Sequence, residues 1–139
     1  MRFMIIRRAD AETEASALPS QELVDSMMAF HLEMAEAGIV RGGDGLQPTS
    51  KGARVEFTNG KPTVIDGPFT EAKELVAGFT LIEVASKQEA IEWMKKWPVL
   101  DGHGNVVLEL RQLYEIEDFG DAVTPEAKEI SDRVFKASS

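Results

Sequence analysis

Leu75-Val76-Ala77-Gly78-Phe79-Thr80-Leu81-Ile82-Glu83-Val84-Ala85-Ser86-Lys87-Gln88-Glu89 is the stretch on which the fold turns. Leu75 to Val84 is apolar and rich in β-prone residues, and predicts a long strand. Gly78 in its interior predicts a bulge or a close backbone approach. Ser86 followed three residues later by Glu89 is a capping box, so a helix opens there. Ala90, Ile91, Met94 and Trp97 give that helix one apolar stripe, and Pro98 ends it. A strand that passes straight into a capped helix is half of a β-α-β unit.

The other half lies toward the N-terminus. Phe3 to Arg7 reads as a buried strand, and residues 9–19 read as an exposed polar loop. Ser20 is placed to cap a helix whose core stripe is Leu23, Met27, Phe30 and Met34, with Gly38 at its C-terminal end. Ile39-Val40 begins a second strand, which runs into Gly42-Gly43-Asp44-Gly45. Two alternating segments follow, Arg54 to Phe57 and Thr63 to Ile65, on either side of Asn59-Gly60. That dipeptide predicts a tight hairpin, because both residues tolerate positive φ. Pro62 demotes the second segment to an edge strand or to strand entry. Asp66-Gly67-Pro68-Phe69 and Thr70-Glu71-Ala72-Lys73-Glu74 lead from the hairpin back to the long strand. Val106 to Leu113 is the last strand of the set, with Val106, Leu108 and Leu110 on one face and Val107, Glu109, Arg111 and Leu113 on the other. Thr124-Pro125 opens a short C-terminal helix.

Two helices against a mostly antiparallel sheet predict an α+β domain of the ferredoxin-like, split β-α-β type with an inserted β-hairpin. The domain is expected over residues 1–120, with residues 121–139 as a C-terminal extension. Two helices cover only one face of a four-stranded sheet. The other face, near Phe79, Leu81, Val107 and Leu113, is expected to pack against a second copy in a homodimer. The apposed sheets would then enclose a cleft.

Composition removes several function classes. The chain has 139 residues and a formal net charge of −9, which would repel nucleic-acid phosphates and anionic lipids. No apolar run approaches the ~20 residues needed to span a bilayer. The first eight residues read as a strand and lack a signal-peptide cleavage pattern. With no cysteine, disulfides, thiolate catalysis and Cys-ligated metals are excluded, and a cytoplasmic protein is expected. His31 and His103 have no neighbours at metal-ligand spacing, so no zinc site is expected. Gly42-Gly43-Asp44-Gly45 lacks the Lys-Ser/Thr ending of a phosphate loop. No cofactor is expected.

Together these segments resemble the YCII-related family, in particular its DGPF branch, through Gly42 to Pro48, Asp66 to Glu74, Gly78 to Val84 and Glu109-Leu110-Arg111. The resemblance spans residue 1 to about residue 120. It implies a dimeric α+β barrel, usually without an established activity. For a shorter branch of the family it implies a His–Asp active-site pair. Counted back from Gly38, that histidine falls near Met27 rather than at His31. Relatives of the DGPF branch occur beside or fused to sigma factors, which implies a regulatory setting.

The candidate site residues each have two readings. Asp66 is either a general base beside a rigid proline or the carboxylate of an Asx-type turn. Glu71 and Lys73 either orient a substrate, with Phe69 beside them as a further ligand contact, or form a solvated turn. Glu109 and Arg111 are either an anion clamp in the cleft or a salt bridge across the dimer. His31 is either a helper in proton transfer or a packing residue of the first long helix. Trp93 and Trp97 are core or interface. Two functions stand against each other: acid–base chemistry on a small polar or anionic metabolite in the dimer cleft, or ligand binding by a regulatory dimer without turnover. A protein-interaction module with an acidic surface is a third.

Overall fold

The computed structural model describes residues 1–71 and 74–136. Ala72 and Lys73 fall outside them. The elements in chain order are β1 (Arg2–Arg8), α1 (Ala11–Glu14), α2 (Gln21–Glu36), β2 (Val40–Gly45), β3 (Ala53–Thr58), β4 (Lys61–Asp66), β5 (Val76–Glu83), α3 (Lys87–Met94), β6 (Leu108–Gln112) and α4 (Pro125–Lys136). Four strands form one antiparallel sheet in the order β2-β5-β1-β6. The protein is α+β, and this strand order is the connectivity of a split β-α-β arrangement.

Period-two alternation divides the sheet into two unlike faces. Phe3, Ile5 and Arg7 of β1 point inward, opposite Ile82, Thr80 and Gly78 of β5. Phe30 and Met34 of α2 and Ala90 of α3 close over Phe3, Ile5 and Ile82, with Leu108 and Leu110 of β6 packed against the cluster. Each large side chain buried here contributes about 1.5–3 kcal/mol. This layer therefore carries the fold. The opposite face holds Met4 and Ile6 of β1 beside Leu81 and Phe79 of β5, all half-buried in the single chain. Glu109 and Arg111 of β6 lie on that face too, in register with Ile6 and Met4.

The helix starts follow their caps. Ser20 Oγ accepts from Leu23 N at 3.1 Å, and Ser86 Oγ accepts from Glu89 N at 3.1 Å. The returning arm of the second cap reaches one residue further back than expected: Glu89 Oε2 accepts from Ala85 N at 2.9 Å. The segment read as a loop, residues 9–19, contains α1. Asp10 Oδ1 accepts from Thr13 N and Thr13 Oγ1 accepts from Asp10 N, both at 2.9 Å. So short a helix shows no periodicity, and only its cap betrays it.

Strands β3 and β4 pair with each other and stand apart from the main sheet. Asn59 and Gly60 take φ of 51° and 77°, the turn their sequence asks for. Every residue of this hairpin is exposed, Val55, Phe57 and Val64 included. Among the described residues, no helix is long and apolar enough to cross a membrane.

Candidate functional site

Arg7 continues the inward series Phe3, Ile5 of β1, so alternation drives a guanidinium into the interior. A buried cation must be paired. Asp101, in the turn after α3, supplies a two-toothed partner. Arg7 Nε donates to Asp101 Oδ2 at 3.1 Å and Nη2 donates to Asp101 Oδ1 at 2.8 Å. Arg7 Nη1 donates to Asp10 Oδ2 at 3.1 Å and to the Arg8 carbonyl at 2.7 Å. Trp97 Nε1 donates to Asp101 Oδ2 at 2.9 Å, which pins the indole.

The electrostatics follow from these contacts. Burial pushes the Asp101 carboxyl up, but hydrogen bonds from Arg7 and Trp97 more than offset it and hold it below the ordinary range. Asp10 behaves likewise: burial raises it, while the Thr13 N–H and the Arg7 charge bring it lower still. The Arg7 guanidinium is raised, chiefly by its hydrogen bonds to Asp101, against the opposing effect of burial.

A cavity of about 500 Å3 opens on this network, between α2 and the inner face of the sheet. Arg7, Thr80, Asp101, Trp97, Met27 and His31 line it. Met27 and His31 sit one helical turn apart and so share a face of α2. Gly42, Gly43 and Asp44 of the edge strand β2 form a further wall. Among the described residues, the buried polar or charged side chains are Arg7, Thr80 and Asp101, and all three face this one cavity. His31 and Thr80 have no side-chain hydrogen bond or ion pair to any described residue, so their polar atoms remain available to a ligand, while Asp44, in register with Phe79, directs its side chain to the open face. Among the described residues, no cluster of His, Asp and Glu has metal-binding geometry.

The sequence model of the YCII-related domain matches residues 1–122. The chain belongs to the YCII-related family. An uncharacterized protein of Rhizobium meliloti is 33% identical to it over 87 residues, which cover 60% of this chain and 70% of that relative. Among solved structures, the chain is similar to a 5-chloro-2-hydroxyhydroquinone dehydrochlorinase of Burkholderia phenoliruptrix in complex with 2,5-dihydroxybenzoquinone. That likeness has a TM-score of 0.46 at 14% identity and covers 85% of this chain and 98% of that one.

Within this YCII-related chain the residues singled out from sequence are scattered over three places. His31 lines the cavity. Asp66 ends β4 and is exposed; it lines neither that cavity nor a second of about 420 Å3. Phe69 lines the second, with the Arg54 guanidinium 3.8 Å above its ring. Glu71 is exposed, and Lys73 lies outside the described residues. Glu109 and Arg111 are on the open face of the sheet, where Glu109 accepts from Arg8 Nη2 at 2.6 Å and from Arg111 Nη1 at 3.3 Å. Hydrogen bonding by Arg111, with the charge and hydrogen bond of Arg8, keeps the Glu109 carboxyl below its ordinary range against a weaker push from burial.

The Asp66–Phe69 loop is held by backbone. Phe69 N donates to Thr49 Oγ1 at 3.0 Å, and that hydroxyl donates to Glu14 Oε2 at 2.6 Å. Gly67 N donates to the Gly52 carbonyl at 3.0 Å. A Cβ on Gly67 would lie 1.7 Å from the Thr49 carbonyl oxygen, so the position has room only for glycine. Here the glycine serves a close approach of two chain segments.

Sequence reasoning missed Arg7, Thr80, Asp101 and Trp97 as site residues. One signal was present: a charged residue at the third inward position of a strand whose first two are Phe and Ile. Its partner lies 94 positions along the chain, a distance that no motif spans.

Proposed function

We propose that this YCII-related protein, of the DGPF branch, binds a small molecule in the cavity beneath α2 and performs acid–base chemistry on it. His31 accepts a proton, while the Thr80 hydroxyl and the remaining N–H of Arg7 orient the polar end of the ligand. Met27 and Trp97 pack against its apolar part. The observation that carries this reading is the convergence of the buried polar side chains Arg7, Thr80 and Asp101 on one cavity. Convergent polar groups in a concave, mostly apolar pocket are the usual form of a small-molecule site. Asp66 and Arg111 have no part in it, and the ligand sits on the helix-covered side of the sheet. The open face, with Met4, Ile6, Phe79 and Leu81, is proposed to pack against a second copy in a two-fold dimer.

A second reading, ligand binding without turnover, is favoured by one feature of His31. An activated catalytic group is usually oriented by a third residue, and the imidazole has no hydrogen-bond partner among the described residues.

A thermal-shift screen of small metabolites against the native chain, His31→Ala and Thr80→Val tests the site. A true ligand raises the native midpoint by mass action and raises those of both variants less. Equal shifts in all three proteins would remove the cavity from the reading. With such a ligand in hand, turnover that disappears in His31→Ala separates enzyme from binder. For the dimer, Leu81→Arg is expected to sediment as a monomer at micromolar concentration where the native chain does not. Identical masses for the two would end that assignment.

A further inference from the structure

The hairpin of β3 and β4 presents its apolar side to solvent. Its register sets Val55 opposite Val64 and Phe57 opposite Pro62 on one face, and Arg54 opposite Ile65 and Glu56 opposite Thr63 on the other. The second, mixed face is the one turned toward its own protein. There the Arg54 guanidinium stands 3.8 Å above the Phe69 ring, and Ile65, at 37% exposure, is the best covered of the large apolar side chains in the two strands. The apolar face looks outward, with Val55 54%, Phe57 70% and Val64 67% exposed. A hairpin folded only for its own domain would turn those side chains inward, because burying each is worth about 1.5–3 kcal/mol. A two-stranded ribbon is also marginal in water by itself. This arrangement marks a surface that is covered from outside the chain.

Area and charge say what covers it. A stable homodimer buries about 800 Å2 on each partner, of which about two-thirds is apolar. The open sheet face falls short of that. Met4, Ile6, Phe79 and Leu81 are already half-buried, and at about 150–250 Å2 for a large side chain they leave at most roughly 300 Å2 uncovered. Val107, exposed at the margin, adds one more small side chain. The outward face of the hairpin carries a similar apolar area, and in a two-fold pair each protomer both gives and receives it. At about 3.4 Å per residue its six-residue strands reach about 20 Å, twice the spacing of stacked sheets, so an arm rooted on one protomer can extend onto the next. Charge agrees. Residues 51–66 hold Lys51, Arg54 and Lys61 against Glu56 and Asp66, a net +1 in a chain of net −9, which leaves −10 for the rest. A second copy of this chain is therefore an acidic surface that attracts the arm.

We propose that the β3–β4 hairpin is a dimerisation arm. Its face of Val55, Phe57, Pro62 and Val64 packs on a second copy of the chain and completes the interface that the open sheet face begins. This inference rests on the two-fold dimer proposed above.

Val55→Lys/Val64→Lys places two charges on the outward face, and Thr63→Lys places one on the mixed face as a control. Sedimentation of the full chain over a range of concentrations gives the dissociation constant of the dimer. The double variant is expected to weaken the dimer at least about tenfold, and Thr63→Lys less than about twofold. The chain has no cysteine, so Phe57→Cys carrying a benzophenone puts a single photo-cross-linker near the tip of the arm. In dimers mixed from isotopically light and heavy chains, cross-linked peptides of mixed label are expected, joining the arm to the second copy. A native dimer whose dissociation constant Val55→Lys/Val64→Lys leaves unmoved, or whose cross-links stay within one chain, would overturn the arm and leave the sheet contact standing. A dimer lost in the double variant but kept in Leu81→Arg would support the arm and remove the sheet contact. A native chain that is monomeric at every concentration overturns both, as does cross-linking in cells to a different protein with none to a second copy.

Discussion

Two regions of this molecule, the Asp66–Phe69 loop and the Arg7–Asp101 network, show how differently salience and burial are distributed. The loop is a conspicuous motif of the chain, yet Asp66 is exposed and its neighbours are held through their own N–H groups, by the Thr49 hydroxyl and the Gly52 carbonyl. The network has no motif at all. Its members come from the first strand, the cap of a four-residue helix and the turn after α3, and they meet in the interior against one cavity. Exposed carboxylates interact weakly with their surroundings, because water screens them. Buried ones must be satisfied, and so they record where the fold has placed charge at a cost.

The comparison can be broken by substitution. Asp101→Ala removes both teeth of the Arg7 pair and the acceptor of Trp97, and should destabilise the chain by about 3–5 kcal/mol, read as a shift in urea midpoint. The same residue contributes to the acid limb. Because the Asp101 and Asp10 carboxyls are held below the ordinary range in the folded chain, their contribution is fully present above the unfolded-state value. It is lost as pH falls through the lower folded-state value. Denaturation curves from neutral pH down through the carboxylate range should therefore fall more steeply for the native chain than for Asp101→Ala. Parallel acid limbs would mean that the network contributes no such linkage.

Gly67→Ala sharpens the contrast from the other side. A methyl group there meets the Thr49 carbonyl, so the loop must shift, at about 1–3 kcal/mol. Ligand-induced shifts at the cavity should be preserved. A loss larger than that of Asp101→Ala would make the loop the more important anchor of the two. The smallest effect is expected for Asp66→Asn, within about 0.5 kcal/mol in stability and without change in ligand binding. A large loss of binding in that variant would restore Asp66 to the site.

Much of the architecture was legible because it rests on local rules. The alternation of Phe3 and Ile5, the stripe Leu23, Met27, Phe30, Met34, the caps at Ser20 and Ser86 and the Asn59-Gly60 turn each act over a few residues. The face assignments of β6 were equally readable, since Leu108 and Leu110 join the core while Glu109 and Arg111 share the opposite face. The candidate site was less so. His31 was named and does line the cavity, but as a helper to a carboxylate that the fold sets elsewhere.

What the amino-acid sequence alone determined is the set of longer elements, all but the four-residue α1, with their order and the family, because caps, turns and periodicity are local and the family pattern runs through residues 1–122. Only the tertiary structure decided which charges are buried together. Arg7 and Asp101 become partners when β1 and the turn after α3 pack on the same layer, and a pairing across that much chain leaves no trace in spacing. Helix α2 and the sheet then leave the space between Met27, His31 and Thr80 unfilled, and such a space belongs to the packing of elements, not to any one of them.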